Sequence, residues 1–343
     1  MKTPAPLPPQ LHGHIFSSAQ AREFGIPPKR LRARDIRSIG WGLHQHIPLT
    51  SGNPTTDDAD PLPLPFYSGP KLETHYSPPP GLTHERFALL TALGSQLDDD
   101  ARFSHSTAAL LLGLPLPPRL QRRVEAGEVE ISRPHTTSAD RLRDLRCHRA
   151  TPGVEETGSV LGLPVSRPGR VLIDLMPQLR RDELVALGDQ LIRTPRPGLS
   201  LRTQPWESIE SLTAVVRRHP STDGIVAARE ALDLIRDGAD SPPETALRLA
   251  LVDEGLPEPQ LQLAPSPGSP WSGDMGWEQI KLVIQYEGEH HFDATQQASD
   301  GQRDHAFRRD GWTVLHTNAV DQRQGFPLIR RRARFELGRA GLL

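Results

Sequence analysis

Cysteine is nearly absent. Cys147 stands alone in 343 residues, which excludes an internal disulfide and a cysteine-based zinc site and fits a reducing compartment. No run of about 18 apolar residues occurs, so no membrane partner or span is expected. Met1–Gln10 is proline-rich and has no apolar core, so secretion is not expected and a cytoplasmic location is. Lysine is scarce too: Lys2, Lys29, Lys71 and Lys281 are the lysines among 40 basic residues, leaving 36 arginines. The 35 prolines are roughly double the usual 5% share, and with arginine they carry the mark of GC-rich coding. Hydrophobic residues make up 36%, enough for more than one core, and about 100–200 residues per domain gives two or three domains.

The clearest boundary is a proline-rich linker over 48–82, with nine prolines between Pro48 and Pro80. Before it, a module over 11–47 opens on a capping-box pattern, Ser17-Ser18-Ala19-Gln20, and a short helix that closes at Gly25. Pro27 and Pro28 suit the first turn of a second, basic helix carrying Arg30, Arg32 and Arg34, and Ile39–His44 reads as a wing. Helix, turn, basic helix and wing is the winged-helix order, so those three arginines are candidate nucleic-acid contacts; a solvated basic helix is the alternative. A mixed α/β region follows over 83–200, with helices expected at His84–Leu97, Ser106–Leu112 and Arg180–Arg193 and strands at Val129–Ser132 and Leu145–Arg149. His105 lies among hydroxyls, which reads better as a helix N-cap than as a nucleophilic centre. A helical connector spans 201–240.

The last segment, 241–343, reads as α-β-β-β-α-β-α. A helix starts at Ser241-Pro242-Pro243-Glu244; strands follow at Gln260–Leu263, Asp274–Trp277 and Lys281–Tyr286; a helix runs from Asp293 to about Asp310; a strand at Trp312–His316 and a helix at Phe326–Arg339 complete the order. Asp274 opens one strand. Gln285 and Glu287 lie two apart on the next, so they share a face about 7 Å apart, with Leu282, Ile284 and Tyr286 on the other. Acids at central strand ends suit a hard divalent cation such as Mg²⁺, completed by waters and a phosphate oxygen. Asp274 and Glu287 are the expected metal ligands, Gln285 assists, and a histidine of the His290-His291 pair, His291 being the candidate, or a metal-bound water supplies proton transfer. The pair His290-His291 has no further His or Cys at ligand spacing for zinc.

The combination Ser241–Glu244, Asp274-Met275-Gly276-Trp277, Tyr286–His291, Asp300-x-x-Arg303 and Gly311-Trp312 resembles the Vsr-like (very-short-patch-repair-like) family of actinobacterial proteins. That family belongs to the restriction-endonuclease-like P-D-(D/E)-x-K superfamily. The resemblance covers about the last hundred residues and implies an αβββαβα core and metal-assisted phosphodiester hydrolysis. Position by position it makes Glu244 the first-helix acid, Asp274 the motif aspartate, Glu287 the second acid, His291 the trailing histidine, and Asp300 and Arg303 the acid and arginine of the next helix. Gln285 departs from it: the family has glutamate there, so this chain is one charge short. Glu287 also stands where the superfamily has lysine. The upstream region, through Ser104–Ala109, Gly113–Pro117, Gly162–Val165 and Ile173–Leu175, is similar to AbiEi-type antitoxin proteins, which implies operator DNA or a toxin protein as partner.

Local alternatives stand beside these readings. A capping box with Ser241 accounts for Glu244, and Asp300 with Arg303 fits an i,i+3 helix pair. Arg330, Arg331 and Arg332 are either a solvated face or a phosphate-contacting surface. The net charge of −2 hides a division. Residues 241–300 hold ten acids against Arg248 and Lys281, a balance of −8, while 301–343 hold nine arginines against four acids, a balance of +5. Total charge therefore does not exclude nucleic acid. The expected molecule is an α/β (α+β) protein that interacts with DNA.

Overall fold

The computed structural model describes residues 4–40, 42–47, 82–134, 145–196, 202–288 and 294–343. The proline-rich linker, apart from Leu82, and His291 lie outside the described residues. The chain divides into two compact units, Met1–Asp174 and Leu175–Leu343. The mixed α/β class expected from the sequence is observed.

In the first unit, β1 (Ile15–Ser17), β2 (Ile36–Gly40) and β3 (Leu43–His46) form an antiparallel sheet in the order β1-β3-β2. Ser17 caps α1 (Ser18–Glu23) in the expected capping box with Gln20. The expected basic helix does not form. A single 3-10 turn, Arg30–Arg32, replaces it, and the chain becomes extended at Ala33. The cause is Asp35. Arg30 turns back to it with two hydrogen bonds (2.7 and 2.6 Å) and donates through Nε to the Ala5 carbonyl (2.7 Å). That bidentate pair fixes the segment as a turn and uses the arginine internally.

A second, mixed sheet has the order β6-β5-β4-β8-β7. Its strands are β4 (Arg102–Phe103), β5 (Val129–Arg133), β6 (Leu145–Arg149), β7 (Thr157–Val160) and β8 (Leu163–Ser166). The helices of this region are α2 (His84–Gly94), α3 (His105–Leu112), α4 (Pro118–Glu125) and α5 (Pro168–Leu175).

The second unit begins with α6 (Arg181–Ile192), α7 (Ile209–Arg218), α8 (Ile225–Leu234) and α9 (Pro242–Asp253). A four-stranded sheet follows: β9 (Gln260–Leu263), β10 (Gly273–Trp277), β11 (Leu282–Glu287) and, after α10 (Ala294–Arg309), β12 (Thr313–Asn318). Two helices close the chain, α11 (Ala319–Arg323) and α12 (Pro327–Arg339). The strands lie in the order β12-β11-β10-β9, with β10 antiparallel to both neighbours and β11 parallel to β12. The expected order α-β-β-β-α-β-α is present from α9 onward, with α11 as an addition.

Alternation along β11 sorts the two faces. Leu282 and Ile284 join Met275, Trp277, Leu247 and Leu251 of α9 and Ile329, Ala333 and Leu337 of α12 in one core. Val283 packs with Leu263, Phe307 and Trp312 on the opposite face, under α10. Two glycines let β10 lie close to β11. A Cβ on Gly276 would stand 2.0 Å from the Leu282 carbonyl oxygen, and one on Gly273 would stand 2.3 Å from Val283 Cγ2. Across the helices, Arg248 of α9 is 1% exposed and donates to Asp189 of α6 (3.1 Å), to Glu258 (2.9 Å) and to the Leu234 carbonyl of α8 (2.7 Å). Asp189 also accepts from the Thr245 hydroxyl and the Arg236 N–H. With both terminal nitrogens of Arg248 engaged, this buried pair is held firmly, and loss of either member would be costly.

Candidate functional site

Four elements of the second unit bring polar groups together on the α10 side of its sheet. Asp274 lies on β10, and its Oδ2 accepts the backbone N–H of Tyr286 on β11 (2.6 Å). Burial pushes its carboxyl above the ordinary range, the Tyr286 N–H and the charges of Arg303 and Arg196 oppose this, and Asp300 adds to it. Glu244, in the first turn of α9, is 7% exposed and pushed up to about 8 by burial and by the charge of Asp274. Its carboxylate accepts the Asp240 N–H (2.9 Å) and the Ser241 hydroxyl (2.7 Å). The expected capping box is thus not made: the Ser241 hydroxyl donates to the carboxylate instead of capping the helix, and the carboxylate takes the Asp240 N–H rather than that of Ser241.

Arg196 stands beside this acid pair. It makes an ion pair with Asp240 and donates to Gln262 and to Ser272 Oγ (2.8 Å). Gln262 has φ +54, a left-handed kink in an otherwise extended strand, and donates to the Gly238 carbonyl (2.8 Å). Asp300 and Arg303 form the i,i+3 pair (3.1 Å) foreseen as the local alternative, and both also act on the charge of Asp274.

Gln285 is fully buried, and neither its amide oxygen nor its nitrogen has a hydrogen-bond partner among the described residues. An unsatisfied buried amide costs about 1–3 kcal/mol, so such a group calls for an explanation. Its Nε2 lies 3.0 Å from where a Cβ on Gly273 would be, which puts it against the residue preceding Asp274.

Glu287 departs from expectation. Its carboxylate is exposed and lies 2.8 Å from Nδ1 of His316, whose Nε2 is 2.9 Å from Asp304. His316 is in register with Gln285 on the neighbouring strand. The acid that acts on Glu244 is Asp274, and the partner of Glu287 is a histidine. Among the described residues, no group of three or more His, Cys, Asp or Glu side chains is arranged to hold a metal ion. The oxygens left over at the acid pair are Oδ1 of Asp274 and the Gln285 amide oxygen, with the Glu244 carboxylate beside them. These are hard donors that fit Mg²⁺ better than zinc.

The other arginines fall elsewhere. Arg30 is committed to Asp35, and it holds that carboxyl below the usual range. Arg32 and Arg34 are exposed on the turn. Arg330 and Arg334 both pair with Glu254, whereas Arg331 and Arg332 are exposed on the outer side of α12. Because α12 packs on the face of Leu282 and Ile284, these arginines lie behind the sheet from Gln285.

Sequence reasoning missed Arg196, Asp304 and His316. The position of His316 beside Gln285 is set by the parallel register of two strands, which alternation within one strand does not reveal, and Arg196 lies among prolines with no local signal.

A second polar cluster occupies the first unit. His105 is buried with φ +50, stacks on His148 (3.5 Å between ring centroids), and places Nδ1 2.9 Å from Ser104 Oγ. Burial pushes its imidazole down to about 4. Ser104 does not cap α3 as expected, because its hydroxyl is taken up by His105 and Ser132. The carboxylate of Glu130 supplies the helix start instead, accepting the Ser106 N–H (2.9 Å) and meeting His148 (3.2 Å). These contacts hold Glu130 down at about 2 against the effect of burial.

Part of the chain is similar to two proteins of Mycobacterium tuberculosis, from strains CDC 1551 / Oshkosh and H37Rv, each described as an uncharacterized protein. Identity to each is 31% over 168 residues, 48% of this chain and 58% of the relative. The chain therefore spans less than two thirds of the length of these curated relatives. No family model matches the chain, and no solved structure matches it. No helix among the described residues is long and apolar enough to cross a membrane.

Proposed function

We propose that the second unit is a metal-dependent phosphodiesterase domain that acts on nucleic acid, DNA in the first instance, within a cytoplasmic protein. One observation carries this reading: two carboxyl groups from different elements, Glu244 and Asp274, are both held above their ordinary range beside a buried amide with no partner. Acids in that condition are short of positive charge, and pairs of perturbed carboxyls cluster at functional sites. A Mg²⁺ ion held by Asp274, Gln285 and Glu244 would offset the charge, use the orphaned amide oxygen, and supply a Lewis acid for a phosphoryl oxygen.

The protein's own groups do the rest. The Tyr286 N–H fixes the Asp274 carboxylate, Arg303 supplies positive charge for a phosphate beside it, and His291 is the candidate for moving a proton. The resemblance to the Vsr-like family supports the same chemistry. A plasmid-nicking assay with Mg²⁺ or Mn²⁺ tests it: Asp274→Ala should abolish nicking, and undiminished activity in that variant would remove this site.

A second reading is a non-catalytic, antitoxin-like regulator that binds operator DNA or a toxin protein and keeps the nuclease-like fold for shape. It is favoured by the neutral Gln285 and by the engagement of Glu287 with His316. Gln285→Glu separates the two: a gain in nicking supports the enzyme, and unchanged silence with an intact gel shift supports the regulator.

A further inference from the structure

We propose that a groove between α10 and Trp271 holds an unpaired nucleobase of the nucleic-acid strand engaged at the acid pair, an inference that rests on the phosphodiesterase reading and narrows its substrate class. The groove encloses about 440 Å³ and is lined by Trp271, Gly301, Gln302, His305, Ala306 and Arg309. Clefts that take small organic ligands run from about 300 to 1,000 Å³, so one base with its sugar fits.

The geometry of α10 connects this groove to the acid site. One row of the helix, Asp300, Arg303, Asp304 and Phe307, faces the sheet: Phe307 is in the core, Asp304 meets His316, and Asp300 and Arg303 act on Asp274. The adjacent row, Gln302, His305 and Arg309, recurs at i, i+3 and i+7 and opens into the groove. The opposite wall is anchored in the same way. Trp271 precedes Ser272, which Arg196 holds at 2.8 Å, and lies three residues before Asp274. On this reading a strand whose phosphate sits at Arg303, next to Gln302 on the helix, would place a neighbouring nucleotide towards Trp271.

The lining chemistry selects the ligand. No carboxylate lines the groove among the described residues. The indole offers a stacking face, which every base can use. Gln302 carries both an amide donor and an acceptor for a base edge, and His305 and Arg309 suit phosphate oxygens. Arg309 donates to Asp310 through Nε (3.1 Å), which leaves its terminal nitrogens for a phosphate. A base paired inside a duplex cannot enter such a groove, so single-stranded or unpaired segments are the substrate class. Gly301 fits the same picture: a Cβ built on it meets nothing within 4 Å, so the groove is open above the helix at that point.

The test uses the full chain in EDTA, with a fluorescein-labelled single strand and its blunt duplex followed by anisotropy. Trp271→Ala should weaken single-strand binding at least about fivefold, with the duplex nearly unaffected and Trp271→Phe retaining most of the affinity. Gly301→Leu should weaken single-strand binding too, by filling the groove, without lowering the thermal midpoint, because leucine favours helix more than glycine does. Wild-type single-strand affinity in both Trp271→Ala and Gly301→Leu, or equal losses for strand and duplex, would overturn the proposal. The outcome is separable from hydrolysis. If the groove is real but the enzyme reading fails, the binding pattern persists with no nicking. If hydrolysis is real but the groove is not, Asp274-dependent nicking proceeds at full rate in Trp271→Ala.

Discussion

Glu130 in the first unit and Glu244 in the second are glutamates of similar burial with opposite chemistry: one is held down at about 2, the other pushed up to about 8. The difference lies in what surrounds them. Glu130 accepts the Ser106 N–H at a helix start, meets His148, and has Arg123 at 3.6 Å. Glu244 also accepts two hydrogen bonds, but its nearest strong influence is another acid, Asp274. Burial alone is therefore no mark of function; an unbalanced buried charge is a better one. By that measure the His105–Glu130 cluster reads as architecture, and the Glu244–Asp274 pair is the stronger candidate for the site we propose.

The largest effect should come from Glu130→Gln, which leaves the helix start and His148 without their anion. We expect a loss on the order of 3 kcal/mol in urea unfolding at neutral pH. Since the folded-state pKa of Glu130 lies below its ordinary value of 4.5, its contribution is present above that value and fades as pH falls towards about 2. Glu130→Gln should flatten the stability profile in that window, and an unchanged profile would break the contrast.

Gln285→Glu adds a third acid to the unbalanced side. It should destabilise the protein by roughly 2 kcal/mol in EDTA and recover part of this with Mg²⁺, as read by thermal shift. If metal gives no selective recovery, the cation reading loses its support. Glu244→Gln should do the reverse of Glu130→Gln. A carboxyl with a raised folded-state pKa loses stability as pH climbs from its ordinary value of 4.5 through about 8, so the glutamine variant should be more stable by about 1–2 kcal/mol at the alkaline end while losing nicking. The smallest effect is expected from Arg331→Ala with Arg332→Ala: within about 0.5 kcal/mol in stability, and a smaller loss of nicking than Arg303→Ala causes, because α12 lies behind the sheet.

Much of the second unit was legible because its patterns are local. The strand at 282–287 alternates cleanly, Gly311 stops a helix, and the acids stand at strand ends. Glu244 is named beside Asp274 only through the family resemblance, since locally it carries an ordinary helix-cap explanation; the packing of α9 beside β10 is what sets the two acids against each other. The contact of Glu287 with His316 was not legible either, because it is made across a parallel strand pair between residues 29 apart in sequence. In the first unit, Pro27-Pro28 is a sound helix-start signal, and the Arg30–Asp35 fork, made between residues five apart, overrides it.

Arg248 sits one helical turn after Glu244. It is clamped to Asp189 on α6, to the Leu234 carbonyl of α8 and to Glu258, so it works as a rivet through α9. The acid at the tip of that helix cannot swing freely, since its lever arm is a single turn. A drift in the packing of the three helices would therefore be passed to the carboxylate, and a change on another helix, at Asp189, would disturb the acid as well as the fold.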